Sequence, residues 1–129
     1  INAETAMLVD RVRLSSRSHI AAGELTYSEQ RALEIGMALA TGAEVILLDE
    51  PTAGMSREET AYVVELVREV TRDKTLLVVE HDMSVVFGLC DRISVLVYGQ
   101  VLATGTPEEI RTNRAVQEAY LGEEHEEAA

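Results

Sequence analysis

Little in this sequence can cross-link the chain or break it. A single cysteine, Cys90, excludes an intrachain disulfide and fits a reducing compartment. Only two prolines interrupt 129 residues. Basic residues are also scarce: 11 Lys and Arg against 23 Asp and Glu leave a formal charge of −12. That balance argues against non-specific binding to nucleic acid or to an anionic membrane. No apolar run approaches the roughly 20 residues that a bilayer-spanning helix needs. The start, Ile1-Asn2-Ala3-Glu4, is neither basic nor followed by an apolar stretch, so no signal peptide is expected there. What is present is a 47% apolar chain with room for one globular domain and one core. Part of the negative charge is local, since Glu123, Glu124, Glu126 and Glu127 crowd the C-terminus. Residues 123–129 read as a solvated, frayed acidic tail.

The most informative stretch is Val45-Ile46-Leu47-Leu48-Asp49-Glu50-Pro51-Thr52. Four apolar residues run into two carboxylates, and a proline closes the segment. A short apolar run bounded by a breaker suits a strand buried on both faces of a parallel sheet. Ligands of open α/β sheets bind where such strands end. Adjacent strand residues point to opposite faces. Asp49 and Glu50 therefore serve one site only if the strand ends near Asp49 and Glu50 turns with the loop, an ending that Pro51 encourages. A pair of solvated acids is the plain alternative for these eight residues alone.

Around this stretch, helical and strand patterns alternate. Leu8 and Val12 mark an amphipathic helix over Ala6 to Leu14, and Ser15 to Gly23 reads as a polar loop. Thr26-Tyr27-Ser28-Glu29 has the spacing of a capping box and starts a second helix. Its apolar stripe is expected at Leu33, Met37 and Ala40, widened by Ile35 and Leu39, with Gly42 ending it. Ser56-Arg57-Glu58-Glu59 is another capping box, followed by Val63, Leu66, Val67 and Val70 on one helical face. Thr75 to Val79 predicts a second buried strand, which runs into Glu80-His81-Asp82. Asp82 can cap a short helix through Val86 and Phe87. Ile93 to Tyr98 and Val101 to Thr104 flank Gly99-Gln100, a two-residue connection suited to a hairpin. Thr106-Pro107-Glu108-Glu109 adds proline to a third capping box, and Val116 to Leu121 predicts a last short helix. Strands alternating with amphipathic helices give an α/β layer architecture.

Three pieces then stand in order: Leu25-Thr26-Tyr27-Ser28-Glu29-Gln30-Arg31, the acidic strand end, and His81. Together they resemble the C-terminal half of an ABC transporter ATPase subunit. The first is similar to that family's signature motif, the second to its Walker B strand with the catalytic glutamate, and His81 to its switch histidine. Ala53-Gly54-Met55-Ser56 falls where the family's D-loop lies. The resemblance spans roughly Ala6 to Gly122. Its strongest part is Leu-Leu-Asp-Glu-Pro-Thr followed about thirty residues later by Glu-His-Asp. Glu80-His81-Asp82-Met83, Gly105-Thr106-Pro107-Glu108-Glu109-Ile110 and Ala119-Tyr120-Leu121-Gly122 look like the ATP-binding subunit of branched-chain amino-acid importers.

The resemblance implies a partial phosphate-loop NTPase fold: a mostly parallel sheet flanked by helices, with the phosphate-loop half missing. Residues 1–44 then form part of the helical subdomain that carries the signature. Residues 45–122 form the C-terminal part of the ATPase core. The implied ligands are ATP and Mg2+. Asp49 orients the metal, Glu50 and His81 are catalytic, and Thr26, Tyr27, Ser28, Glu29, Gln30 and Gly54 contact the nucleotide. The implied partners are a second ATPase subunit and transmembrane permease subunits, with no nucleic acid, at the cytoplasmic face of the inner membrane. The implied activity is ATP hydrolysis driving amino-acid uptake in the intact subunit, with this chain inactive alone. The different reading is a non-catalytic half-domain that pairs with a phosphate-loop partner.

Two features depart from the family pattern. A phosphate loop needs lysine after glycine, whereas the lone lysine, Lys74, follows Asp73. In the signature, Ser28 replaces a glycine and Glu29 a glutamine, which sets a negative charge near a phosphate unless Glu29 folds back as capping partner. Taken singly, each residue also has a plain structural reading. A capping box starts many helices, a histidine after an apolar strand is often a satisfied core residue, and Glu80 reads as a loop acid.

Overall fold

The computed structural model describes residues 1–127, with side chains placed through Tyr120. The chain forms two compact units, Ile1–Leu89 and Cys90–Ala129. Buried side chains of the segment 1–44 share one core with those of the elements that follow.

In the first unit, α1 (Ala3–Arg11), α2 (Tyr27–Ala40), β1 (Val45–Asp49), α3 (Arg57–Val70), β2 (Thr75–Val79) and α4 (Met83–Leu89) follow in order. Single 3-10 turns at Ser15–Arg17 and Ala22–Glu24 occupy the polar loop. The first helix begins and ends three residues earlier than the Ala6 to Leu14 pattern predicts. Asn2 caps its start, and Arg13, at φ 62°, turns the chain out before Leu14. Helices α2 and α3 open on the expected capping boxes at Thr26/Glu29 and Ser56/Glu59, each reciprocal. Gly42, at φ 72°, follows the last turn of α2, in the left-handed conformation that favours glycine.

Strands β1 and β2 pair in parallel, Val45 with Thr75 through Asp49 with Val79, and α3 connects them. Lys74 fixes the start of this pair by donating from Nζ to the Ala43 carbonyl at 2.8 Å. Val63, Leu66, Val67 and Val70 of α3 are buried, as their spacing predicts. They cluster with Ile46 of β1, with Ala32, Ile35 and Leu39 of α2, and with Val12 and Leu14. Each large apolar side chain buried this way stabilises the fold by about 1.5–3 kcal/mol.

The expectation for α2 was partly wrong. Its buried face is Ala32, Ile35, Gly36 and Leu39, while Met37 is 65% exposed and Ala40 lies outside the core. The buried face turns toward Val12, the residue that ends α1: a Cβ on Gly36 would lie 3.2 Å from a Val12 methyl, so glycine lets the two segments approach there. The strands also differ from expectation, since they are covered on one face only. Ile46 is 2% exposed, but Val45, Leu47, Leu77 and Val79 on the other face are 54%, 68%, 56% and 59% exposed. A two-stranded sheet with helices packed on one side leaves the second side bare.

The second unit is an antiparallel hairpin with two helices: β3 (Ile93–Val97), β4 (Gln100–Gly105), α5 (Pro107–Thr112) and α6 (Arg114–Glu127). The connecting residues are Tyr98-Gly99 rather than Gly99-Gln100. Both have positive φ, 48° and 75°, as the favoured two-residue hairpin turn requires, and glycine takes the second of the two positions. A register irregularity between Val95 and Leu96 accompanies this shift. Thr106 and Glu109 form the third capping box, with Pro107 in the first turn of α5. The last helix is longer than expected and runs through Glu127; the end of the expected frayed tail, residues 128–129, lies outside the described residues. No described helix is long and apolar enough to cross a membrane.

Candidate active site

The C-terminal ends of β1 and β2 sit side by side because the strands are parallel and in register to Asp49 and Val79. Beyond this rung the Glu50 N–H still donates to the Val79 carbonyl at 2.8 Å. Glu50 itself adopts φ 44°, a left-handed conformation uncommon for a residue other than glycine, asparagine or aspartate. Its carboxylate thereby leaves the strand's alternation, and Oε1 lies 3.2 Å from Nδ1 of His81 at the neighbouring strand end. An ionised carboxylate only accepts, so Nδ1 is the donor. The His81 and Glu50 side chains are 77% and 50% exposed, so the pair is open to solvent. Asp49, one residue earlier, is the exposed last residue of β1. Among the described residues no three His, Cys, Asp or Glu side chains converge as a metal site.

Pro51 and Thr52 are buried directly behind Glu50. The turn after them closes with Ala53 N–H on the Glu50 carbonyl (3.1 Å) and Met55 N–H on the Thr52 carbonyl (3.2 Å). Gly54, at φ 74°, follows the left-handed path that this turn requires.

Glu80 lies in the loop after β2, where a loop acid is expected, but it is not a solvated one. Its side chain is only 1% exposed. Oε1 accepts from the Thr52 hydroxyl (2.6 Å) and N–H (3.2 Å), while Oε2 accepts from the N–H groups of His81 (3.2 Å) and Asp82 (3.4 Å). The one sequence signal for this role was a hydroxyl residue just after Pro51, beside a strand that ends in an acid. Asp82 in turn accepts from Ser84 Oγ (2.6 Å) and N–H (2.9 Å) at the start of α4. The Ser84 hydroxyl bond, ahead of the cost of burial, holds the Asp82 carboxyl below its ordinary range.

The second constellation is the start of α2. Thr26 Oγ1 accepts from the Glu29 N–H at 3.3 Å, and Glu29 Oε2 accepts from the Thr26 N–H at 2.9 Å. Glu29 therefore folds back as capping partner, and Arg17 approaches its other oxygen at 3.0 Å. The backbone bond from Thr26 leads the causes that lower the Glu29 pKa. Ser28 Oγ lies 3.4 Å from Thr26 Oγ1, Gln30 Nε2 donates to the Ala22 carbonyl at 3.1 Å, and Tyr27 is half exposed. An open cleft of about 390 Å³ beside this turn is lined by residues of both charges, among them Arg13, Arg17, Glu58 and Glu59. The contacts described hold each constellation together and do not join the two.

Comparison with known proteins then adds identity to geometry. Residues 100–126 match the family profile of the branched-chain amino acid ATP-binding cassette transporter. The high-affinity branched-chain amino acid transport ATP-binding protein LivG of Salmonella typhimurium is 44% identical over 120 residues, covering 92% of this chain and 47% of that protein. BraF of Pseudomonas aeruginosa, of the same description, is 40% identical over 117 residues, covering 89% and 46%. The ADP conformation of MJ1267, an ATP-binding cassette of an ABC transporter, superposes with a TM-score of 0.81 at 28% identity, covering 92% of this chain and 49% of that one. The chain thus spans about half the length of the curated relatives it matches. Sequence likeness over nine-tenths of the chain and a shared cassette fold together make it a C-terminal ABC ATPase part, related to the ATP-binding proteins of branched-chain amino-acid transport.

Proposed function

We propose that this chain is the hydrolytic part of an ATPase subunit that drives uptake of branched-chain or related amino acids. The observation that carries the reading is the Glu50–His81 pair, 3.2 Å apart at two neighbouring strand ends. Glu50 takes a proton from, or polarises, the water that attacks the γ-phosphate. His81, donating to Glu50 through Nδ1, keeps that carboxylate oriented; its Nε2 donates to the phosphate in the imidazolium form, where both ring nitrogens carry protons. Asp49 supplies one hard oxygen ligand, and magnesium ordinarily completes its shell with waters and phosphate oxygens. When bound, Mg2+ neutralises charge on the phosphates.

In this reading the residues 1–44 belong to a helical subdomain. Thr26 through Gln30, with Gly54, face the ATP of a second ATPase subunit. The N-terminus of α2 offers unsatisfied donors and a positive dipole end to that phosphate. Because Glu29 is engaged by Thr26 and Arg17, its charge is partly neutralised there. The dimer docks on transmembrane permease subunits at the cytoplasmic face of the inner membrane. The names of LivG and BraF support the amino-acid substrate.

The alternative of a non-catalytic half-domain draws on the bare face of β1–β2 and the missing phosphate loop. One experiment separates the two. This chain is grafted in place of the matching segment of a LivG-type protein, and hydrolysis and ATP binding are measured. The ATPase reading expects turnover that falls about 10²-fold or more in Glu50→Gln, with ATP binding retained. A graft that binds ATP and hydrolyses it equally well with Glu50→Gln would remove the catalytic role.

A further inference from the structure

Glu80 is the most deeply buried carboxylate of the site, and the hydrolytic reading gives it no task. Its two oxygens face four donors that belong to two loops. On one side are the hydroxyl and N–H of Thr52, two residues after Glu50; on the other are the N–H groups of His81 and Asp82. Without a link of this kind, the exposed Glu50 and His81 side chains depend on loops that leave the sheet independently. The backbone of Glu50 also holds an unfavourable left-handed φ of 44°, which persists only where its surroundings fix it.

We propose that Glu80 is a positioning residue, a buried carboxylate clamp that ties the exit loops of β1 and β2 so that Glu50 and His81 stay paired. It accepts from Thr52 on one loop and from the His81 and Asp82 amides on the other, and its Oε2 also lies 3.9 Å from His81 Nδ1, on the side that faces Glu50. The clamp requires a carboxylate rather than any polar group. In Glu80→Gln an amide NH2 replaces one oxygen, and on either side it meets a backbone N–H that cannot turn away. The proposal rests on the reading of Glu50 and His81 as a working pair.

The test uses the 129-residue chain itself and the tautomer of His81. With 15N-labelled protein at about pH 8, where an ordinary imidazole is mostly neutral, the ring-nitrogen shifts report how much of His81 carries its proton on Nδ1. His19 serves as reference in the same spectrum. The expected result is an excess of Nδ1–H at His81 over His19, lost in Glu50→Ala, lost in Glu80→Gln, reduced in Thr52→Val and kept in Thr52→Ser. Amide spectra report whether each variant is folded. If Glu50→Ala leaves His81 unchanged, the pair itself fails and the proposal falls with it. If Glu50→Ala abolishes the excess but a folded Glu80→Gln keeps it, the pair stands and the clamp is refuted. Should Glu80→Gln not fold, Thr52→Val decides, and a wild-type tautomer ratio in that folded variant overturns the proposal.

Discussion

On the inner face of β1–β2, Ile46, Leu48 and Leu76 join the cluster formed by α2 and α3. On the outer face, Val45, Leu47, Leu77 and Val79 carry the same kind of side chain and stand in the open. The two faces differ in surroundings and hardly at all in composition. Their contrast shows that an apolar strand records a need for cover, whereas the helices supplied in the same chain decide whether that need is met. It also separates what this chain builds alone from what it only prepares. The packed face, the capped helices and the strand-end constellation are built here. The cover for the outer face is not.

Truncation on the two faces is the sharpest way to break that contrast. Leu66→Ala, within the packed cluster, is expected to destabilise the chain by about 2–5 kcal/mol. Leu47→Ala on the open face is expected to change stability by no more than about 0.5 kcal/mol. Urea unfolding of both variants measures the difference, and comparable losses would mean that the outer face is covered in solution.

Cover in solution has an obvious source, namely another copy. Exposed apolar strands recruit other chains. Static light scattering of the purified chain is expected to give a mass above 14.1 kDa. Leu47→Glu combined with Leu77→Glu should bring the mass back towards that of the monomer. A wild-type chain that stays at 14.1 kDa would show that the open face is tolerated.

How much of this was legible beforehand depended on the range of the interaction. The three capping boxes were legible because each lies within four consecutive residues. Val63, Leu66, Val67 and Val70 were legible because one face of α3 meets one cluster. The stripe of α2 was misplaced at Met37 because its rotation is set by the approach of Val12 to Gly36, a contact between segments far apart in the chain. Glu50 and His81 were named as candidates, but their 3.2 Å separation depends on the register of two strands. The burial of Glu80, expected only as a loop acid, was hidden for the same reason: its partner Thr52 lies 28 residues away. The hairpin slipped by one residue because glycine satisfies either position of the turn, and only the backbone of Tyr98 shows which one it takes.

The smallest expected effect distinguishes capping from packing. The Glu29 and Asp82 carboxyls lie below their ordinary values of 4.5 and 3.8 in the folded chain, through bonds from Thr26 and Ser84 respectively. A depressed carboxyl stabilises the fold fully above its unfolded pKa, and that contribution is lost as pH falls through the folded value. Stability should therefore begin to decline below about pH 4.5 and continue downward as these groups take up protons. Ser84→Ala should weaken the Asp82 part of that decline, while the gap between Leu66→Ala and Leu47→Ala should not depend on pH. Urea midpoints across the acid range check both statements, and an unaltered acid decline in Ser84→Ala would count against the Ser84 bond.

The proposed function assigns Glu50 and His81 to the attacking water, while these 129 residues carry no lysine after glycine to form a phosphate loop. Titration calorimetry of the purified chain with Mg-ATP, followed by a phosphate-release assay on the same sample, tests it most directly. The account predicts no micromolar binding and no turnover by the chain alone. Micromolar binding, or hydrolysis that disappears in Glu50→Gln, would contradict it, because the nucleotide site would then be complete within these residues.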